Sequence, residues 1–277
     1  MHTEINVLGP LQVSIDGTQL VPTAAKPRQM LALLAINAGR VVTKASLREE
    51  IWGDGDNTPR KASSTVHTYV LHLRRMIEQA LPKDSTRSAK EILITEHTGY
   101  SLDFDPGVID AVRYERMAAE GRAAGADGDF VRAGELLTEA LAIWRGPVLV
   151  DVTTGAELEI ETTRLSEDRL SNLSLRIDAD LFAGRHQQLL GELAALCAQH
   201  PYIENFRAQY MLALHRSGRQ SQALETYREM WETTREELGV EPSAPLRRLH
   251  QGLLSGATNM DDPDFLINAW APTALAS

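Results

Sequence analysis

The chain has a single cysteine, Cys197, in 277 residues. No intramolecular disulfide can form, which fits a reducing, cytoplasmic setting. The longest unbroken apolar run, Met30 to Ile36, is seven residues, against roughly 20 for a membrane-spanning helix. An integral membrane protein is therefore not expected. The opening MHTEINVLGP has neither the basic segment nor the apolar stretch of a secretory signal. No Cys/His spacing suits structural zinc. There is no GxxxxGKS/T phosphate loop, no GxGxxG behind a strand, no HExxH and no GxSxG. Neither an enzyme, nor a cofactor, nor a metal is expected. The eight histidines are scattered. The acidic pairs Glu236-Glu237 and Asp261-Asp262 read as solvated charge. Cys197, beside Leu193 and Leu196, reads as inert packing, and Trp52, Trp144 and Trp231 as core or groove lining.

What is present is a globular mixture, 43 % apolar and 24 % charged, long enough for two domains at about 100–200 residues each. The net charge of −10 is unevenly placed. Residues 1–105 carry 12 basic and 12 acidic groups; residues 106–277 carry 16 and 26. Within the neutral part, residues 60–90 hold seven basic residues (Arg60, Lys61, Arg74, Arg75, Lys83, Arg87, Lys90) and two acids, Glu78 and Asp84. The bland explanation is a solvated helix face. In an acidic protein, which repels nucleic acid overall, such a local excess is also what a DNA-contacting surface needs.

Residues 1–22 read as short strands. Leu11, Val13 and Ile15 alternate with Gln12 and Ser14, Asp16-Gly17 is a hairpin turn, and Gln19 to Val21 is the return strand. A helix is predicted over 27–38, with Pro27 in its first turn and Gly39 after its end. A second follows Thr43 as N-cap, has Leu47, Ile51 and Trp52 on its apolar face, and stops at Gly53. The segment 53–59 is turn-forming throughout. A third helix runs from Arg60 to about Leu81. Val66, Val70, Leu73 and Ile77 make one buried stripe; Ser64, Thr65, Thr68, His72, Arg74 and Arg75 lie on the other side. Strands at 91–95 and 100–104 flank a turn at His97-Thr98-Gly99.

Residues 110–255 read as all helical. Gly184-Arg185, Gly218-Arg219 and Gly252 recur at 34-residue spacing, and Gly128 with Ala133, Leu137 and Ala140 follows the same template, as in tetratricopeptide-like packing. A generic bundle with glycine C-caps is the alternative. From Gly256 the pattern is lost. The predicted domains are thus 1–105, 110–255 and a tail, 256–277. The fold class is mainly α with a small β part: an N-terminal winged helix-turn-helix, then an all-helical tetratricopeptide-like domain.

Three helices followed by a hairpin suit a winged helix-turn-helix, whose third helix enters the major groove while the hairpin reaches an adjacent groove or phosphates. Such a helix needs an apolar back, short polar residues where it approaches closely, and Arg or Lys for phosphates and guanine edges. The third helix meets all three requirements.

The segments LREEIWG (47–53), TVHTYVLHLRRMI (65–77) and TGYSL (98–102) resemble the OmpR-like winged helix-turn-helix, in the variant of the Streptomyces antibiotic regulatory protein family. ELGVEPSAPLRRLHQGLL (237–254) is similar to the close of that family's bacterial transcriptional activation domain. The resemblance implies a pathway-specific activator of an antibiotic biosynthetic gene cluster. Such a protein binds direct repeats of double-stranded DNA near the −35 region as a homodimer and recruits RNA polymerase holoenzyme, including its principal sigma factor. It implies that Thr68, His72, Arg74 and Arg75 face DNA, that Lys61, Ser64 and Thr65 lie near phosphates, and that Thr98 and Gly99 approach the minor groove, with Tyr100 structural. Where this chain has His72 the family often has Arg or Gln. The 53–59 loop corresponds to one that touches polymerase in OmpR-like activators. Two other readings stay open: a regulator sensing a small molecule or peptide through its helical domain, and an adaptor whose winged helix contacts protein.

Overall fold

The computed structural model describes residues 2–53, 59 and 62–255. Most of the expected 53–59 loop, Lys61 and the tail from Gly256 lie outside the described residues. The architecture is mainly helical with two small three-stranded sheets. No described helix is long and apolar enough to cross a membrane.

The chain opens with an antiparallel sheet in the order β1 (Thr3–Asn6), β2 (Gln12–Ile15), β3 (Thr18–Gln19). Asp16 and Gly17 turn it with φ of 45° and 81°, the left-handed pair whose twist suits a two-residue hairpin. Ser14 is buried along with Val13 and Ile15, so β2 is covered on both faces there and the expected alternation is broken. The return strand is two residues long rather than reaching Val21, although Leu20 N–H still donates to the Val13 carbonyl at 2.7 Å.

Three helices follow: α1 (Ala25–Ile36), α2 (Lys44–Trp52) and α3 (Ala62–Ala80), with the short strand β4 (Val42–Thr43) before α2. The Thr43 side chain accepts from Ser46 N–H at 3.0 Å, capping α2. Gly53, at φ 72°, follows its last turn. The expected strand at 91–95 is half helix. Ser88 and Glu91 form a capping box over α4 (Ala89–Ile92), so only β5 (Leu93–Thr95) pairs with β6 (Gly99–Leu102). The second sheet has the order β4-β6-β5.

The remaining helices are α5 (Asp110–Ala126), α6 (Phe130–Leu141), α7 (Ala156–Phe182), α8 (His186–Gln199), α9 (Glu204–Arg216), α10 (Gln220–Thr233) and α11 (Ala244–Ser255). The chain packs as two compact units that do not follow chain order. One takes in residues 1–117 and 139–170, the other 118–138 and residues from 171 onward.

The first unit is held by two buried carboxylates. Glu50 of α2, 2 % exposed, accepts from the backbone N–H of Gly155 (2.6 Å), Glu157 and Leu158 (both 3.0 Å) at the start of α7. It also accepts from the Gln29 side chain at 2.9 Å. A negative group suits a helix N-terminus because the first N–H groups have no partner within the helix and the helix dipole is positive there. The backbones meet closely: a Cβ on Gly155 would lie 2.1 Å from the Glu50 carbonyl oxygen. Asp110, 1 % exposed, accepts from the N–H groups of Val7 (2.7 Å) and Leu8 (3.0 Å). Burial pushes its carboxyl above the usual range despite these donors and Arg145 at 3.6 Å. Nearby, Trp144 stands edge-on to Tyr114, with centroids 5.3 Å apart, and beneath the Arg169 guanidinium.

In the second unit, Gly128, Gly184 and Gly218, at φ of 82°, 76° and 73°, each end a helix. After each, the next residue's N–H reaches the carbonyl five residues back: Asp129 to Ala124, Arg185 to Asp180, Arg219 to Leu214, all at 2.9 Å. These are Schellman-type ends, and they account for the 34-residue spacing of Gly184 and Gly218. Gly252 breaks the register. It lies inside α11, where Leu246, Leu249 and Leu253 form a continuous buried stripe, so no turn is needed. That stripe packs with Met211, Leu214, Ala223 and Met230. Cys197 is buried, and burial pushes its thiol up to about 11. Gln209 is also buried and donates to the Ser174 carbonyl at 3.0 Å and to Asp178 at 2.7 Å. Burial pushes the Asp178 carboxyl up to about 7.

Two outcomes follow from these buried carboxylates. Glu50→Ala leaves several buried N–H donors without an acceptor and should lower the unfolding free energy by roughly 3 kcal/mol in urea titration; a loss below about 1 kcal/mol would contradict the clamp. Asp178 holds its proton more tightly folded than unfolded, where an aspartate titrates near ~3.9. The stability this provides is full below pH ~4 and lost as pH rises to about 7. Asp178→Asn should remove that slope. The two melting temperatures, matched to a common value near pH 4, should diverge in the variant's favour up to pH 7; a pH-independent difference would contradict the assignment.

Candidate nucleic-acid interface

The front of α3 follows from its back. Val66, Val70, Leu73 and Ile77 are each 2 % exposed or less, which fixes the helix's rotation. At 3.6 residues per turn, the line opposite that stripe is Ser64, Thr68, Leu71 and Arg75, and all four are exposed. His72 is exposed on one flank of it and His67 on the other. Thr65 is half-buried to the side. Thr68 Oγ1 donates to the Ser64 carbonyl at 3.0 Å, which leaves the oxygen's two lone pairs to accept. Arg75 makes no hydrogen bond or ion pair among the described residues.

Arg74 departs from the expectation of a DNA-facing group. Its guanidinium donates through Nε (3.0 Å) and Nη2 (2.6 Å) to the Leu93 carbonyl and through Nη2 to Thr95 Oγ1 at 2.8 Å. It is half-buried, and burial pulls it below the ordinary arginine value. The reason is angular. The residue sits about a quarter turn off the front line, on the side where β5 passes. Its role here is to fasten α3 to the hairpin.

The hairpin turn is also tied down. The Thr98 carbonyl accepts from Lys44 N–H at 2.9 Å and the His97 carbonyl from Lys44 Nζ at 3.4 Å. Thr98 is exposed, as a wing tip requires. Gly99 is not available to a ligand. It is buried in β6 opposite Thr43, and a Cβ there would lie 1.9 Å from the Val42 carbonyl oxygen. Its lack of a side chain serves strand approach rather than DNA approach. Tyr100 is 5 % exposed and structural. Trp52 is half-buried, stacked on Tyr69 at 6.4 Å with Lys26 Nζ 5.1 Å from its ring centroid.

The basic excess of residues 60–90 is thus divided. Arg74 is engaged with β5. Arg87 is engaged with Asp103 at 2.5 Å and the Glu91 carbonyl at 2.7 Å. Arg75, Lys83 and Lys90 are exposed without partners among the described residues, and only Arg75 lies on the front line. Two residues were not singled out in the sequence: Leu71, an apolar residue whose register places it in front, and Glu50, whose partners are remote in sequence. No cluster of metal-ligating side chains occurs among the described residues.

Residues 17–102 match the family model for the C-terminal domain of transcriptional regulatory proteins, and residues 109–254 match the bacterial transcriptional activator domain. The chain is 45 % identical to Regulatory protein DnrI of Streptomyces peucetius over 273 residues, 99 % of this chain and 100 % of DnrI. The chain belongs to the Streptomyces antibiotic regulatory protein family of transcriptional activators. It is 36 % identical to transcriptional regulator RedD of Streptomyces coelicolor, across 91 % of this chain and 70 % of RedD. It is 35 % identical to Regulatory protein AfsR of the same species across 98 % of this chain, yet spans only 26 % of AfsR. Among solved structures it resembles Mycobacterium tuberculosis EmbR in complex with a low-affinity phosphopeptide, with a TM-score of 0.83 and 34 % identity, over 92 % of this chain and 65 % of that one. Within this family the α3 front and the β5–β6 hairpin are the helix and wing of its winged helix-turn-helix.

Gly99→Ala should be strongly destabilising, by roughly 3 kcal/mol or more, because its Cβ meets backbone rather than a movable side chain. Loss of secondary structure on heating, followed by circular dichroism, checks this; a variant melting within a few degrees of the parent would contradict the close approach.

Proposed function

We propose that this regulator binds DNA sequence-specifically through residues 1–105 and activates an antibiotic biosynthetic gene cluster, with residues 110–255 as the activation domain. The observation that carries the reading is the α3 front. An exposed arginine and short hydroxyl side chains lie in line on a helix whose opposite stripe is buried to 2 % or less. That combination fits insertion into a major groove. Arg75 is the base-reading cation, suited to the O6 and N7 of a guanine. His72 and Thr68 contact neighbouring base edges. Ser64 and Thr65 lie toward phosphates at the helix start, Lys61 would add a phosphate contact there, and Thr98 carries the wing contact. Arg74 holds the angle between helix and wing.

Activation would proceed by recruitment. Two copies occupy direct repeats about one helical turn apart, near the −35 region, which places both recognition helices on one face of the duplex. RNA polymerase holoenzyme with its principal sigma factor is then held by protein contacts. The acidity of residues 106–277, with 16 basic and 26 acidic groups, keeps the activation domain off DNA.

The test is selection of binding sites from a random duplex pool by the full chain, Arg75→Ala and Arg74→Ala. The parent should enrich a short motif in direct repeat. Arg75→Ala should lose about five- to 150-fold in affinity and relax one base position, the ~1–3 kcal/mol of a bidentate guanine contact. Arg74→Ala should weaken binding to all sequences alike without changing the motif. If the parent enriches nothing at moderate salt, the reading fails.

A further inference from the structure

Leu71 is 41 % exposed on α3, while the helix's own apolar stripe is 2 % exposed or less. Single exposed leucines are common and by themselves carry little. This one stands three residues after Thr68 and four before Arg75, in the middle of the front line. Thr68, one turn before it on the same line, is short and is itself exposed, so it does not cover Leu71. A helix surface built to meet only phosphates and polar base edges gains nothing from an apolar group there, and a leucine left in water gains nothing either. The major groove offers one apolar feature, the C5-methyl of thymine.

We infer that Leu71 is a specificity-determining residue that reads the C5-methyl of a thymine in the half-site. The inference rests on the DNA-binding reading above. It also makes a positional statement. Leu71 and Arg75 are four residues apart, about 6 Å along the helix axis. Base pairs are stacked ~3.4 Å apart. The thymine is therefore one or two base pairs from the guanine that Arg75 contacts.

The experiment begins with the DNA selected by the full-length parent. Each thymine of a half-site is replaced singly by deoxyuridine, which removes the methyl and keeps base pairing. At one thymine, next to or one pair removed from the base that Arg75→Ala relaxes, the parent should lose about four-fold in affinity. That is the equivalent of one methyl group at ~0.8 kcal/mol. Leu71→Ala should bind the thymine and deoxyuridine duplexes equally. Because Leu71 supports no core, its melting temperature should match the parent's. If the parent binds its selected DNA tightly and no single deoxyuridine costs affinity, the inference is overturned while the DNA-binding reading stands. The same holds if Leu71→Ala keeps the full discrimination. If the parent selects no DNA, it is the underlying reading that has failed.

Discussion

A carboxylate removed from water at the start of a long helix is the constraint on which the first unit depends. Glu50 accepts three backbone N–H groups at the first turn of α7 and one side-chain amide from α1. A charge that is 2 % exposed is tolerated only where donors replace the lost hydration. The donors in turn are groups that any helix start leaves unpartnered. Each side of the contact therefore satisfies the other. The consequence is geometric. The helix before α3 and the start of α7 are bound as one body, so α3 rests on a scaffold that includes residues far outside the winged helix. Asp110 repeats the device on the β1–β2 connection.

That scaffold bears on the proposed recognition, since a helix that is to read base edges must be held at a defined rotation and tilt. Rotation is set by the buried stripe of α3. Tilt relative to the wing is set by Arg74, whose guanidinium bridges α3 to Leu93 and Thr95. The turn beyond is tethered through Lys44. Adjacent arginines thus have separate tasks. A step of one residue turns the side chain by about 100°, enough to take Arg74 to the hairpin and leave Arg75 in front.

The second unit uses a different economy of construction. Its helix ends at Gly128, Gly184 and Gly218 share one hydrogen-bond pattern. Its core is largely apolar, with the Gln209, Ser174 and Asp178 group as a buried polar exception. Most of this unit falls within the stretch that matches the bacterial transcriptional activator domain, residues 109–254.

Much of this was legible in the sequence. The Asp16-Gly17 hairpin, the Thr43 cap, the Val66-to-Ile77 stripe and the glycine ends at 184 and 218 depend only on residues near them in the chain. Periodicity and turn chemistry encode such features directly. The Ser88–Glu91 capping box was equally local, yet the apolar Ile92-Leu93-Ile94 beside it read as strand. Gly252 sat at the repeat spacing and proved helical, because spacing alone does not require a turn. The remaining features were decided by tertiary structure. Glu50 meets partners more than a hundred residues away, as does Asp110. Gly99 is required by a neighbouring strand rather than by a ligand, and Arg74 and Arg75 look alike until β5 is placed beside one of them. A residue's local pattern determines which way it faces on its own element; only the packing of elements decides what it meets there, because burial and partner distance are properties of the folded chain.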